Sequence, residues 1–334
     1  LGDGCKYRVI ACSSESKARQ VYEEYHMLDP ETYFYPAKDF LFYQADIRSK
    51  ELQESRMTVV QAILEEKPLT VVVSFDAFMD ALPVKGAMKD RVIRIENGQT
   101  LDFDEIRKAL TENGYDREEQ VGGPGQFAIR GGILDIYPLT GELPVRIELW
   151  GDEVDSIRSF DTDSQRSVQN LDEAVVYPAD ELPGRPVKRV SFLEYFPPED
   201  TLVFLDEPAR LVEKGEAVEQ EFVEAQAKRV ESGYEVSDDE MELYETAEIV
   251  KQMNTYCCIG LSALDTHGNG FKFRNKFSIN TKSVNPYNNS FEMLTRDLKR
   301  LKRNDYRVIL LSGSRTRAKR LAEDLRDYNL SSYY

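Results

Sequence analysis

Residues Gly125–Trp150, GQFAIRGGILDIYPLTGELPVRIELW, leave this chain few ways to fold. Apolar and polar residues alternate through Phe127–Arg130, Leu134–Tyr137 and Val145–Trp150, the two-residue period of a strand. Gly131-Gly132 and Leu139–Pro144 are turn material between the strands. If Ile147 and Leu149 face a core, Arg146, Glu148 and Trp150 share the opposite face. The only tryptophan of the chain then stands on a solvent face beside an arginine. Trp and Arg are the residue types most enriched at interface hot spots. Alternation alone equally allows a sheet covered on both faces, with Trp150 in a core.

The segments before this stretch read as an α/β unit. Tyr7–Cys12 is a short apolar strand, and Ser16–Met27 a helix with Ala18, Val21, Tyr22 and Tyr25 on one side. Tyr33–Tyr35 is a second strand. Ser49–Glu66 is a helix striped by Leu52, Met57, Val60, Ile63 and Leu64, and Leu69–Ser74 has the continuous apolar run of a buried parallel strand. This βαβ order predicts a doubly wound sheet. Val92–Ile95 and Asn97-Gly98 close the first lobe. Asp102 caps a helix with Phe103, Ile106 and Leu110 inward, ended by Gly114. The β-rich module then runs to about Leu182, with Pro178, Pro183 and Pro186 at its exit.

The remainder alternates in the same way. Thr201–Leu205 is a strand, Leu211–Glu231 and Asp238–Gln252 are helices, and Cys257–Leu261 is a further strand. Thr266–Phe271 is a turn without a phosphate-binding signature, and Ser283–Ser290 a linker. Phe291, Leu294, Leu298 and Leu301 stripe a helix, Arg307–Leu311 reads as a strand, and Ser314 caps a helix carrying Ala318, Leu321, Ala322 and Leu325.

A length of 334 residues predicts two or three domains. The chain starts without Met and ends at Tyr333-Tyr334 directly after a helical pattern, as a piece of a longer protein would. No apolar run approaches membrane-spanning length and no signal peptide opens the chain, so a cytoplasmic protein without membrane contact is expected. The four cysteines, Cys5, Cys12, Cys257 and Cys258, form no CxxC, and His26 and His267 are the only histidines. No metal site is expected from them. The net charge of −17 argues against the whole chain clamping nucleic acid. Residues 285–334 nevertheless carry 11 Lys and Arg against 6 Asp and Glu, leaving −22 on the rest. Lys299, Arg303, Arg315 and Arg317 are the candidate phosphate contacts there, against the commoner outcome of a solvated polar face. Tyr33, Phe34, Tyr35, Phe40, Phe42 and Tyr43 could stack bases, but their acidic flanks favour packing.

Gly125–Tyr137, Arg146–Trp150, Gly151-Asp152-Glu153, Phe160-Asp161 and Gln165-Arg166-Ser167 together resemble the UvrB-homology module of bacterial nucleotide-excision repair. Two families carry it: the damage-binding helicase UvrB and the transcription-repair coupling factors (Mfd). Phe34-Tyr35-Pro36 followed by Asp46-Ile47-Arg48 is similar to the coupling-factor pattern. Only Gln44–Lys50 separate Tyr43 from the next helix, leaving no room for the DNA-inserting hairpin of UvrB. The resemblance therefore favours the coupling factors.

That resemblance implies a degenerate RecA-like (P-loop helicase-type) domain, with lobes at 1–97 and 186–284. An inserted α+β module like UvrB domain 2 occupies 98–185, and a further α/β domain starts at 285–334. Asp206-Glu207 stands where a motor ATPase holds Mg²⁺, but continues into Pro208-Ala209-Arg210, a degenerate Walker B. The loop GxxxxGK[ST] is absent and by resemblance would lie just before Leu1. The implied function is an adaptor that recruits UvrA, with no catalytic residues, ATPase activity or cofactor in this chain. Family contact residues map onto Arg130, Arg146 and Trp150, the last commonly Phe in relatives. The parent would be an ATP- and Mg-dependent translocase on double-stranded DNA that displaces stalled RNA polymerase. Its C-terminal domain would mask the UvrA face. A UvrB-like helicase fragment and a direct DNA-binding region are the alternatives.

Overall fold

The computed structural model describes residues 4–38, 50–181, 187–231, 243–264, 270–284, 286–288 and 290–333. The expectations for Phe40, Phe42, Tyr43, Gln44–Ser49, Pro183, Pro186, the start of the 238–252 helix and most of the 266–271 turn lie outside them. The chain divides into two compact units, Leu1–Arg274 and Asn275–Tyr334.

The first unit begins with β1 (Tyr7–Cys12), α1 (Glu15–His26), β2 (Thr32–Tyr35), α2 (Lys50–Leu64) and β3 (Leu69–Ser74). Ser14 caps α1 by accepting from Lys17 N. Next come β4 (Ala81–Pro83), α3 (Lys85–Lys89), β5 (Ile93–Glu96) and α4 (Phe103–Glu112). The Asp102 carboxylate accepts from Asp104 N and Glu105 N at the start of α4. Gly114 follows α4 with φ +85°, where a Cβ would crowd the Asp180 side chain at 3.1 Å.

Six strands come next: β6 (Asp116–Arg117), β7 (Gln126–Arg130), β8 (Ile133–Tyr137), β9 (Val145–Trp150), β10 (Glu153–Phe160) and β11 (Ser167–Leu171). The unit continues with β12 (Glu173–Val176), β13 (Arg189–Ser191), β14 (Thr201–Asp206), α5 (Pro208–Glu231), α6 (Thr246–Met253) and β15 (Cys257–Leu261).

β1, β2, β3, β14 and β15 form an all-parallel sheet in the order β15-β14-β1-β3-β2. Strand parity assigns its two faces. Tyr7, Val9, Ala11, Val71, Val73 and Tyr35 enter the main core with Met57, Val60 and Ile63 of α2. Ile10, Cys12, Val72 and Phe34 pack with Ala18, Val21 and Tyr22 of α1. Helices thus cover both faces, as the unbroken Val71-Val72-Val73 run requires. The chain is α/β.

β6–β11 form a second, mixed sheet in chain order, antiparallel except for β6 beside β7. Its inner face contributes Phe127, Leu134, Ile136, Ile147 and Ile157 to the main core with Ile106 and Leu110 of α4. β5 pairs antiparallel with β12, so the entry and exit of this module form one neck.

Arg56, from within the apolar stripe of α2, is only 2% exposed. It donates from Nη1 to Asp80 Oδ2 at 2.6 Å and Pro36 O at 2.7 Å, and from Nε to Glu181 Oε1 at 2.7 Å. Lys38 pairs with the same Glu181 carboxylate. The cluster joins α2 to the segment leaving the inserted module.

The second unit contains α7 (Phe291–Arg303) and α8 (Arg315–Asp327), packed through Leu298, Leu325 and Leu330. Phe291 meets Tyr328 edge-on at 5.3 Å between ring centroids. The expected strand at Arg307–Leu311 is corrected here: the segment forms no ladder, and Ile309 and Leu311 are exposed. Its β-forming residues have no neighbouring strand among the described residues of this unit.

Candidate protein-interaction face

The outer face of the six-stranded sheet holds Arg130, Arg146 and Trp150. In β9, Ile147 is fully buried and Trp150 is 85% exposed. Of the two readings of the alternation, the geometry places Trp150 on solvent. The two-residue loop Gly151-Asp152 joins β9 to β10 with Trp150 opposite Glu153. Gly151 has φ +66°, which primed hairpin turns assign to glycine. Beside Trp150 the β7–β8 turn is Gly131-Gly132, and Leu149 N donates to Gly132 O at 2.8 Å. A side chain on Gly132 would come within 3.1 Å of Leu149 O, so the turn stays bare next to the tryptophan.

Arg146 does not stand free as Trp150 does. Its side chain is 13% exposed and directly opposes Asp135 of β8, which is fully buried. Arg146 donates from Nε to Asp135 Oδ1 at 2.7 Å, and from Nη2 to Asp135 Oδ2 and Gln165 Oε1, both at 2.8 Å. Its guanidinium lies 4.2 Å from the centre of the Phe160 ring. Hydrogen bonding to the Asp135 carboxylate raises the Arg146 pKa above its ordinary value, against the opposing effect of burial. Arg130, with 45% of its side chain exposed, donates from Nη2 to Asp135 Oδ2 at 2.8 Å. One buried carboxylate therefore holds two guanidinium groups.

Sequence reading missed Asp135, Phe160 and Gln165 as parts of this face. The available signal was Asp135 within Leu134-Asp135-Ile136, a carboxylate on the same strand parity as Arg146 and Arg130 across adjoining strands. Val121, Ala128 and Phe160 form a small outer cluster with Tyr137, which covers one end of the face. Arg158 and Glu148 pair on the neighbouring row.

The other candidate residues lie elsewhere. Asp206 ends β14, and Glu207 follows at φ +55°. The Glu207 carboxylate accepts from Ala263 N at 2.8 Å, tying it to the segment after β15. The neighbouring Cys12 thiol is pushed up to about 12 by burial and by the Asp206 charge. Lys299 lies 6.0 Å from the Tyr328 ring, Arg303 is in the last turn of α7, and Arg315 and Arg317 open α8. Arg303, Arg315 and Arg317 are exposed. Among the described residues no group of His, Cys, Asp and Glu is arranged to hold a metal ion, and no helix is long and apolar enough to cross a membrane.

Residues 93–182 match the UvrB interaction domain family, from the first residue of β5 to just beyond Glu181. The transcription-repair-coupling factor of Bacillus subtilis (strain 168) is 26% identical over 361 aligned residues, covering 91% of this chain and 30% of that protein. The protein of the same name from Staphylococcus haemolyticus (strain JCSC1435) is 38% identical over 146 residues, 44% of this chain and 12% of its own length. The Staphylococcus epidermidis counterpart (strain RP62A) is 37% identical over 148 residues. The matched residues 93–182 thus lie within an α/β unit and are similar to the UvrB interaction domain. The chain resembles the N-terminal UvrB-homology region of the bacterial transcription-repair coupling factors, and spans less than a third of the length of these relatives.

Proposed function

We propose that this chain is the UvrA-recruiting adaptor region of a transcription-repair coupling factor in transcription-coupled nucleotide-excision repair. The exposed Trp150 on the UvrB interaction domain, with Arg130 on the same face, carries this reading. An aromatic anchor beside an arginine fits a partner with an apolar slot and a carboxylate. In this reading the parallel-sheet unit is a RecA-like domain divided by the UvrB-domain-2-like module at 98–185, and residues 285–334 open a third domain. In this reading the lobe hydrolyses no ATP of its own, supported by Asp206-Glu207 continuing into Pro208-Ala209-Arg210 and by the Glu207 carboxylate accepting from Ala263 N. ATP, Mg, double-stranded DNA and RNA polymerase belong to other parts of a cytoplasmic translocase. A C-terminal domain of that parent covers the face at rest.

Calorimetric titration with purified UvrA tests the adaptor reading. The chain is expected to bind, and Trp150→Ala to weaken binding about 30-fold, the equivalent of roughly 2 kcal/mol for a buried hot spot. Its unfolding free energy should stay within about 0.5 kcal/mol of the wild type, because the side chain touches little of its own fold. A folded wild-type chain with no affinity for UvrA would remove the adaptor role. A second reading, direct nucleic-acid binding by the second unit, is favoured by the four cations and absent acids in the first two turns of α8.

A further inference from the structure

The geometry points to Asp135 as the positioning residue of the interaction face, with Arg146 as its inner brace and Arg130 as the cation that a partner touches. This rests on the adaptor reading and refines it. Asp135 is fully buried, yet both its oxygens are taken by arginines rather than by solvent or backbone. A buried carboxylate needs such pairing, because an unpaired charge out of water is costly. The two arginines do not share the work equally. Arg146 spends Nε and Nη2 on Asp135 and Gln165 and covers Phe160 with its plane, so little of it reaches the surface. Arg130 gives Asp135 a single hydrogen bond and leaves its outer edge to solvent.

A long arginine on a strand end samples many rotamers, and a partner must arrest them at a cost of about 0.5–1.5 kcal/mol per side chain. Asp135 removes part of that cost in advance. It holds the Arg130 guanidinium with a donor edge outward, two strands from Trp150 across the bare Gly131-Gly132 turn. The remaining donors match one partner carboxylate in a two-point contact. Gln165 completes the brace: it is held at φ +57°, its Nε2 donates to Thr162 O at 2.7 Å, and its Oε1 is thereby turned toward Arg146. The 161–166 turn and the β8 strand therefore act on the contact through Arg146 and Asp135, without touching the partner.

The test is a double-mutant cycle on the intact chain with purified UvrA, read by calorimetry, alongside the Arg Nε–H resonances of the chain alone. Asp135→Asn keeps the shape and removes the charge. It is expected to weaken UvrA binding about tenfold, the ratio that corresponds to 1.4 kcal/mol. That loss should vanish in an Arg130→Ala background and persist in a Trp150→Ala background, since coupling follows contact. Arg146→Lys, which keeps the charge but cannot make the fork, should behave as Asp135→Asn does. The Arg146 Nε–H resonance, whose proton goes to Asp135 Oδ1, should be sharp and protected in the wild type and broadened in Asp135→Asn. This readout needs no partner, so it distinguishes failure of the brace from failure of the adaptor reading. An unchanged resonance, wild-type affinity in folded Asp135→Asn, or a loss that adds fully to Arg130→Ala would each overturn the assignment.

Discussion

Arg56 shows what a single residue can decide inside this fold. Its position in α2 falls on the buried side of the helix, between Leu52 and Met57, where an apolar residue would be expected. Its guanidinium meets Asp80, Glu181 and Pro36 O, and lies 4.3 Å from the Tyr35 ring. Truncation would leave two buried carboxylates facing one lysine. Arg56→Ala is therefore expected to destabilise the chain by about 3–5 kcal/mol in denaturant unfolding, the cost of breaking a buried ion pair from one side. Acid should act on the same cluster. Burial alone would raise the Glu181 pKa, but Arg56 and Lys38 hold it down to about 2, below its unfolded value. A depressed carboxylate stabilises above its unfolded pKa, so this contribution should be lost between about pH 4.5 and 2. Burial instead raises the Asp80 pKa, which offsets part of the loss. Tyr35, whose hydroxyl donates to Glu181, stays neutral throughout, since burial raises its pKa. Comparing acid unfolding of the wild type with Glu181→Gln measures this step; an equally steep acid transition in the variant would place it elsewhere.

Among the elements, α5 depends on a contact that helix propensity alone would argue against. Gly215 lies within its 24-residue span, where glycine costs about 1 kcal/mol relative to alanine. A Cβ there would collide with Thr246 Oγ1 of α6 and approach Phe75 Cε1 to 2.6 Å. The glycine permits α5 and α6 to close on each other. Gly215→Ala should therefore destabilise by a net ~1–3 kcal/mol, despite its better propensity; a raised melting temperature would show that the helices have room to separate. This kind of contact is where sequence legibility ends. Period and capping located β1, β3, β7–β9, α1, α4 and the start of α8, because each buries a face or a polar cap whose pattern is local. The neck of β5 and β12 was illegible, since its two strands lie far apart in sequence and pair by register alone. Arg307–Leu311 misled because β-forming residues specify a strand only where another strand can pair with it. Alternation put Trp150 on the face of Arg146 but left open whether that face was covered, and the restraint of Arg146 depended on a buried aspartate across the sheet.

For the whole molecule, charge is divided between the two units. Residues 275–334 carry 13 Lys and Arg against 6 Asp and Glu, within a chain of net −17. Some of these cations are neutralised locally, as in Arg296 with Glu292 and Arg300 with Asp297. The first turn of α8 has no acid, so Arg315 and Arg317 stand at the positive end of the helix dipole, the reverse of what helix stability favours. Such an arrangement gains most when an anion shares the site. Each phosphate neutralised on duplex DNA releases condensed counterion and steepens the fall of affinity with salt by about 0.9 in logarithmic slope. If Lys299, Arg303, Arg315 and Arg317 each meet one phosphate, replacing all four with Ala should flatten the slope by about 3–4. UvrA affinity should be untouched, because Trp150 and Arg130 belong to the first unit. Fluorescence titration of duplex DNA from low to physiological salt supplies the measurement. An unchanged slope would reduce the basic helices to a solvated surface.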